Sequence, residues 1–225
     1  MADGCLLYYI TDRTQFLGDE PTRRRLLLTK IAEAVRAGLD YIQLREKDLS
    51  TRELEHLARK ATQIVQELRT ENRQLRTRLL INSRTDIAIA VGADGVHLRS
   101  DDIPVPEARN IWAHALSGGS HPSARSPLIG VSCHTQADVL RAQSQGADFV
   151  VFAPVFEKKD GAATQPAGLA ALHEACQAKV PVLALGGVTL ENARSCLQTG
   201  AAGIAAIRLF QENKIEDIVR GLRAL

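Results

Sequence analysis

Gly38-Leu-Asp-Tyr-Ile-Gln-Leu44 is the first of four copies of one short pattern, and the spacing of the copies decides the fold. The others read Gly92-Ala-Asp-Gly-Val-His-Leu98, Gly146-Ala-Asp-Phe-Val-Val-Phe152 and Gly200-Ala-Ala-Gly-Ile-Ala-Ala206. Successive glycines lie 54 residues apart each time. That period is too long for a helix-pair repeat or a propeller blade. It matches two βα units, with the glycine closing a helix and the apolar run forming the next strand. Four periods give eight units, the count of a (β/α)₈ TIM barrel of the α/β class. The 225 residues suffice for one such barrel, and no linker divides 1–225 into further domains.

Working outward, the remaining strands fall at Leu6–Thr11, Leu79–Ile81, Leu128–Val131 and Val182–Leu185, between helical patterns. Ser50 with Glu53 forms a capping box at the start of one helix. Near-continuous apolar strands suit a parallel sheet covered on both faces. The Ser/Gly/His/Pro-rich segment between Leu116 and Pro127 reads as a loop on the bottom face.

A net charge of +2, with acidic residues interrupting the basic stretch Ser50–Arg78, describes a solvated surface. No aromatic platform accompanies the basic residues, which argues against nucleic-acid binding. No apolar run is long enough to span a membrane. Four cysteines without CxxC spacing, and no signal-like start, lead to the expectation of a reduced cytoplasmic protein.

In this architecture chemistry gathers where the strands end, so the polar residues there are the candidates. After strand two, period-two alternation sends Gln43, Arg45 and Lys47 to one side, a set suited to a phosphate and a hydrogen-bonding ring. The alternative is a surface ladder with Glu46 and Asp48. Gly186 and Gly187, ahead of a helix, let phosphate oxygens approach backbone amides, and Ile207 with Arg208 completes that rim. His134 after strand five suits general acid–base work near neutral pH, or merely bonds the backbone. His97, inside strand four, reads as a satisfied core histidine. Asn82 and Ser83 end strand three. Asp101 and Asp102 either hold Mg²⁺ beside a diphosphate or cap the next helix.

Taken together, Tyr9-Ile-Thr-Asp12, Gln43-Leu-Arg-Glu-Lys47, Ile81-Asn-Ser-Arg-Thr-Asp-Ile87, Ala93-Asp-Gly-Val-His-Leu98, Ile129-Gly-Val-Ser-Cys-His-Thr135, Pro154-Val-Phe156 and Leu185-Gly-Gly-Val188 resemble the thiamine phosphate synthase and TenI superfamily. For a synthase, the resemblance implies joining a hydroxymethylpyrimidine diphosphate to a thiazole phosphate, with Mg²⁺ and release of diphosphate. Gln43, Arg45, Lys47 and Asn82 match the pyrimidine and diphosphate contacts, and Gly186 and Gly187 match the thiazole-phosphate grip. Departures fall on the metal side. Ser83 replaces an Asp ligand, Arg99-Ser100 replaces a Gly-Gln pair, and Asp102 keeps the second ligand's position. Lys158 and Lys159 are displaced from the family's diphosphate lysine, and Arg208 replaces a phosphate-touching Ser.

These departures favour a TenI-like thiazole tautomerase, which requires no cofactor and uses His134 to move a proton on a phosphorylated thiazole. The alternative is the synthase, with Mg²⁺ on Asp102. A non-enzymatic barrel that senses thiamine intermediates is the third reading. The resemblance also allows a homodimer.

Overall fold

The computed structural model describes residues 4–117, 126–157 and 165–225. Eight parallel strands close into a barrel in chain order: β1 (Leu6–Ile10), β2 (Tyr41–Leu44), β3 (Arg78–Asn82), β4 (Gly95–Leu98), β5 (Leu128–Cys133), β6 (Phe149–Phe152), β7 (Val182–Ala184) and β8 (Gly203–Ala206). The barrel closes through β1 and β8, with Leu7 opposite Ile204. The helices wrapped around it are α1 (Glu20–Arg36), α2 (Thr51–Glu71), α3 (Thr85–Val91), α4 (Val105–Ser117), α5 (Gln136–Ser144), α6 (Gly168–Ala175), α7 (Leu190–Gln198), α8 (Arg208–Gln211) and α9 (Ile215–Arg223). None of the described helices is long and apolar enough to cross a membrane.

The expected barrel is present, with differences at element ends that have local causes. Helix α1 starts at Glu20, because the Asp19 side chain accepts the Thr22 amide and caps the turn. Strand β5 runs two residues further than Val131, since Ser132 and Cys133 pair with Val151 and Phe152 of β6. The Ser50–Glu53 capping box is formed, and Thr135 with Asp138 and Thr189 with Asn192 cap α5 and α7 in the same way. Most of the predicted bottom loop lies outside the described residues.

The repeat that reveals the fold turns out to rivet its bottom face. Gly38, Gly92, Gly146 and Gly200 all have positive φ, the left-handed conformation that ends a helix at little cost only for glycine. Two residues on, Asp40, Asp94 and Asp148 reach across to accept the amides of Leu7, Leu79 and Ile129 at 2.7–2.9 Å. Each carboxylate also meets an arginine: Arg223 for Asp40, Arg69 for Asp94 and Arg109 for Asp148. In the fourth copy Ala202 replaces the aspartate and the device is missing.

Apolar residues pointing outward from the strands pack under the helices, whereas the barrel interior is a separate, smaller cluster. Tyr8, Ile10, Leu80, Phe149, Val151, Leu183 and Ala205 fill it. Phe149 stacks on Tyr41 with centroids 5.0 Å apart and meets Tyr8 edge-on at 5.4 Å. Gly130 makes room for this arrangement, since a Cβ there would lie 2.3 Å from the Phe149 ring and 2.8 Å from His97 Nδ1. The interior is therefore solid below, and its polar residues lie toward the strand C-termini.

Candidate active site at the strand C-termini

Four side chains from β1, β2, β4 and β5 form one buried relay. Gln43 Nε2 donates to the Tyr8 hydroxyl at 2.9 Å, and that hydroxyl lies 3.2 Å from His97 Nδ1. His97 Nε2 lies 2.9 Å from Ser132 Oγ. The order that satisfies all four groups is Gln43 to Tyr8, Tyr8 to His97 Nδ1, and His97 Nε2–H to Ser132. Burial drives the His97 pKa down to about 3, with the Arg45 charge adding to the effect, so the imidazole is neutral. Burial also raises the Tyr8 phenol far above its usual range. With its oxygen accepting from His97, the Ser132 hydroxyl is free to direct its own hydrogen elsewhere.

Arg45 follows on the same interior line. Its backbone N–H donates to Thr11 Oγ1 at 3.0 Å and fixes the turn out of β2. The side chain is half-buried, and burial lowers its pKa against the opposing pull of Asp12 and Glu46. Among the described residues its guanidinium makes no ion pair.

The predicted ladder partners are taken by another residue. Arg13, only 3% exposed, binds Asp48 with both terminal nitrogens, at 2.6 and 2.8 Å, and reaches buried Glu46 at 3.1 Å. It also meets Glu20 through Nε at 2.8 Å. Strand β2 stops at Leu44 and a turn contains Lys47, so the period-two argument does not extend that far. Lys47 is exposed on that turn.

The strand-three and strand-four ends do not assemble a metal centre. Ser83 adopts φ of 59°, held by its amide donating to the His97 carbonyl at 2.8 Å, and its hydroxyl accepts from Asn82 Nδ2 at 3.1 Å. Asp102 accepts the Arg99 amide at 2.7 Å on one oxygen, and Arg99 Nε and Nη2 at 3.2 Å on the other. Among the described residues no three His, Cys, Asp or Glu side chains converge to hold a metal ion. One engaged carboxylate and one neutral hydroxyl do not fit the Mg²⁺ that the resemblance implies.

Between the β4 and β5 ends lies a cavity of about 260 Å³, lined in part by Arg99, Asp102, Ser132, Asp138 and Arg141. A larger groove of about 840 Å³ lies outside the barrel between α1 and α2 and contains none of the predicted site residues.

The opposite side of the mouth is made of backbone. Gly186 and Gly187 have φ of 101° and 63° and pack against the segment after β6. A Cβ on Gly187 would lie 2.4 Å from the Glu157 carbonyl oxygen, and one on Gly186 2.8 Å from Pro154 Cα. Asn192, the capping partner of Thr189, donates to the Gly187 carbonyl at 3.0 Å. Strand β8 ends at Ala206, the last residue of the fourth copy of the repeat. Ile207 precedes α8, and Arg208 is therefore its first residue, not the end of the strand, with Nε 3.7 Å from Glu212.

His134 stands between the two sides, exposed, with Nδ1 2.7 Å from the Ala153 carbonyl. The carbonyl can only accept, so Nδ1 is the donor in that bond. Lys158 and Lys159 lie outside the described residues.

A family model described as thiamine monophosphate synthase matches residues 7–210. The chain belongs to the thiamine monophosphate synthase family. The thiamine-phosphate synthase of Syntrophomonas wolfei is 37% identical over 224 residues, covering 97% of this chain and 95% of that one. A putative thiamine-phosphate synthase of Geobacter sulfurreducens is 40% identical over 203 residues, covering 89% and 84%. Among solved structures, thiamine phosphate pyrophosphorylase from Pyrococcus furiosus superposes with a TM-score of 0.75 at 29% identity, covering 99% and 95%.

Within this family's barrel, the structure brings Gln43, Arg45 and Asn82 to one side of the mouth and Gly186, Gly187, Ile207 and Arg208 to the other. Sequence reasoning missed Tyr8, Ser132 and Arg13 as parts of the site. Tyr8 and Ser132 were findable, since both keep the inward phase of their strands. Arg13 carried no such signal, because it lies in a short 3₁₀ turn after β1.

Proposed function

We propose that this chain is a thiamine phosphate synthase, joining a hydroxymethylpyrimidine diphosphate to a thiazole phosphate with release of diphosphate. The observation that carries this reading is Arg45, a half-buried cation at the mouth without a carboxylate of its own. A group held in that state is a counter-charge prepared for an anion, because the pull of Asp12 and Glu46 does not outweigh its desolvation and a bound anion would. Beside it, the buried relay fixes the Gln43 amide and the Ser132 hydroxyl, suited to orienting a heteroaromatic ring. Across the mouth, the Gly186–Gly187 turn supplies a backbone surface that a second phosphate can approach closely.

A condensation of two phosphorylated substrates uses both sides of the mouth. As the carbon–oxygen bond to diphosphate breaks, negative charge grows on the leaving group, and Arg45 stabilises it where it forms. The thiazole phosphate, held at the glycine turn, presents its ring nitrogen to the carbon being released. Mg²⁺ would add charge neutralisation there, but the residues present do not fit it and no step is assigned to it. A tautomerase, the first reading from sequence, needs one phosphate grip and one acid–base group, and leaves Gln43 and Arg45 without work. The synthase names of the relatives lend it no specific support.

The test is to incubate the protein with pyrimidine diphosphate and thiazole phosphate, with and without Mg²⁺, and follow diphosphate release. Turnover to thiamine phosphate is expected. Absence of release, together with tautomer conversion that disappears in His134→Ala, would overturn the assignment in favour of the isomerase.

A further inference from the structure

The reaction proposed above, on which this inference rests, places a diphosphate at a mouth where family resemblance implies Mg²⁺. The residues at the implied ligand positions are instead engaged by neighbours, Ser83 by Asn82 and Asp102 by Arg99. We propose that Arg99 is an internal competitor for the divalent cation: it holds Asp102 in the place a metal would take, so a metal enters only by displacing it.

Both oxygens of Asp102 are engaged, one by the Arg99 amide at 2.7 Å and the other by Nε and Nη2 at 3.2 Å. The two partners differ in exposure. The Asp102 side chain is 11% exposed and that of Arg99 51%. Arg99 therefore covers the carboxylate from the solvent side and can swing into water without opening a buried void. Asp101, 3.4 Å from Arg99 Nε, gives the guanidinium a second acidic neighbour.

Nothing on the facing strand offsets this competition. Ser83 offers a neutral hydroxyl already bonded by Asn82, where a carboxylate would have added charge for a metal. Across the cavity, Asp138 is matched by Arg141 at 2.7 Å, so both carboxylates lining the cavity have their own arginine. A divalent cation prefers carboxylate oxygens that are not already held by a cation, and Asp102 meets that condition only once the Arg99 side chain has left, with the exposed Asp101 adding charge at the edge.

The probe is Mn²⁺, titrated by electron paramagnetic resonance into the full chain in the presence of inorganic diphosphate. The comparison covers wild type, Arg99→Gln, Arg99→Lys, Asp102→Asn and the Arg99→Gln/Asp102→Asn double variant, with melting curves to verify folding. Arg99→Gln is expected to bind Mn²⁺ roughly tenfold tighter, the scale of one partly exposed charged contact and its like-charge repulsion. Arg99→Lys, which keeps the charge but loses the forked geometry, should give a smaller gain. The double variant should lose the gain. Binding in Arg99→Gln no tighter than wild type, or tighter binding that survives in the double variant, overturns the proposal. Metal titration needs no turnover, so a failed synthase assay with the expected Mn²⁺ series removes the reaction assignment and leaves the competitor role standing.

Discussion

At the bottom of the barrel Asp40, Asp94 and Asp148 each take a strand amide and an arginine, whereas at the top Arg45 is half-buried without a carboxylate partner. The same kinds of charged side chain serve opposite ends in opposite ways. Below, these three carboxylates are matched within the chain, and three near-identical clamps hold even-numbered strands to their predecessors. Above, the carboxylates near β2 are matched to Arg13, and Arg45 makes no ion pair among the described residues. On the proposed function, pairing marks the end that holds the fold and incomplete pairing the end that would bind.

The largest effect should come from removing the unmatched charge. Arg45→Gln is expected to lower kcat/KM for thiamine phosphate formation about a thousandfold, near 4 kcal/mol of transition-state stabilisation. Its melting temperature should stay within a degree or two of wild type, or rise, since a desolvated cation is lost. Steady-state kinetics beside a thermal melt checks both halves. A variant that unfolds yet turns over normally when folded would make Arg45 structural and erase the contrast between the two ends.

The converse belongs at the bottom. Asp94→Ala leaves the Leu79 amide and Arg69 without their acceptor, and a loss of about 2 kcal/mol is expected, reduced by the partial exposure of the pair. kcat/KM measured well below the melting transition should be unchanged. If the Asp94→Ala protein keeps wild-type stability in urea titration, the Gly-x-Asp repeat is a mere record of strand phase.

These two ends were not equally legible. The bottom repeats in sequence because one backbone problem, ending a helix and starting an even strand, recurs with the same geometry. A 54-residue period therefore revealed the barrel, although the role of Asp40, Asp94 and Asp148 only appeared once their reach across strands was visible. The top has no internal repeat: its strand ends carry different residues, Gln43-Leu44-Arg45, Asn82-Ser83 and Ser132-Cys133-His134 among them. Period two located Gln43 and Arg45, and could have located Tyr8, His97 and Ser132 as one interior layer. It does not reach Lys47, where the chain has left the strand, and it says nothing of Arg208, the first residue of a short helix. Nor does strand phase say which carboxylates an arginine elsewhere will claim, so Arg13 and Arg99 changed the reading of Glu46, Asp48 and Asp102.

The buried relay makes a smaller, pH-dependent contribution. His97 has a pKa near 3 when folded against 6.5 in its ordinary state. Below pH 6.5 the unfolded chain takes up a proton that the folded chain refuses, so stability falls with acidification. The slope approaches about 1.4 kcal/mol per pH unit until the folded pKa is reached. Above pH 6.5 both states are neutral and the effect vanishes. His97→Gln should remove this portion of the acid limb, read from urea midpoints at pH 7.5, 5.5 and 4.5. An unchanged slope would mean that His97 is protonated or solvent-accessible in the folded protein.

The smallest effect separates the two reactions. His134 Nδ1 is bonded to the Ala153 carbonyl, so the imidazole braces the segment after β6 against which Gly186 and Gly187 pack. Condensation with a diphosphate leaving group needs no general base at His134. His134→Ala should therefore cost the synthase no more than about tenfold, mostly in KM for the thiazole phosphate, through a loosened glycine turn. Its kcat should keep the wild-type pH profile, because the ring takes no proton in the step. His134→Gln, which can still donate to Ala153, should recover most of the KM. A loss confined to kcat, with no rescue by glutamine, would make His134 the acid–base group and return the chemistry to the tautomerase.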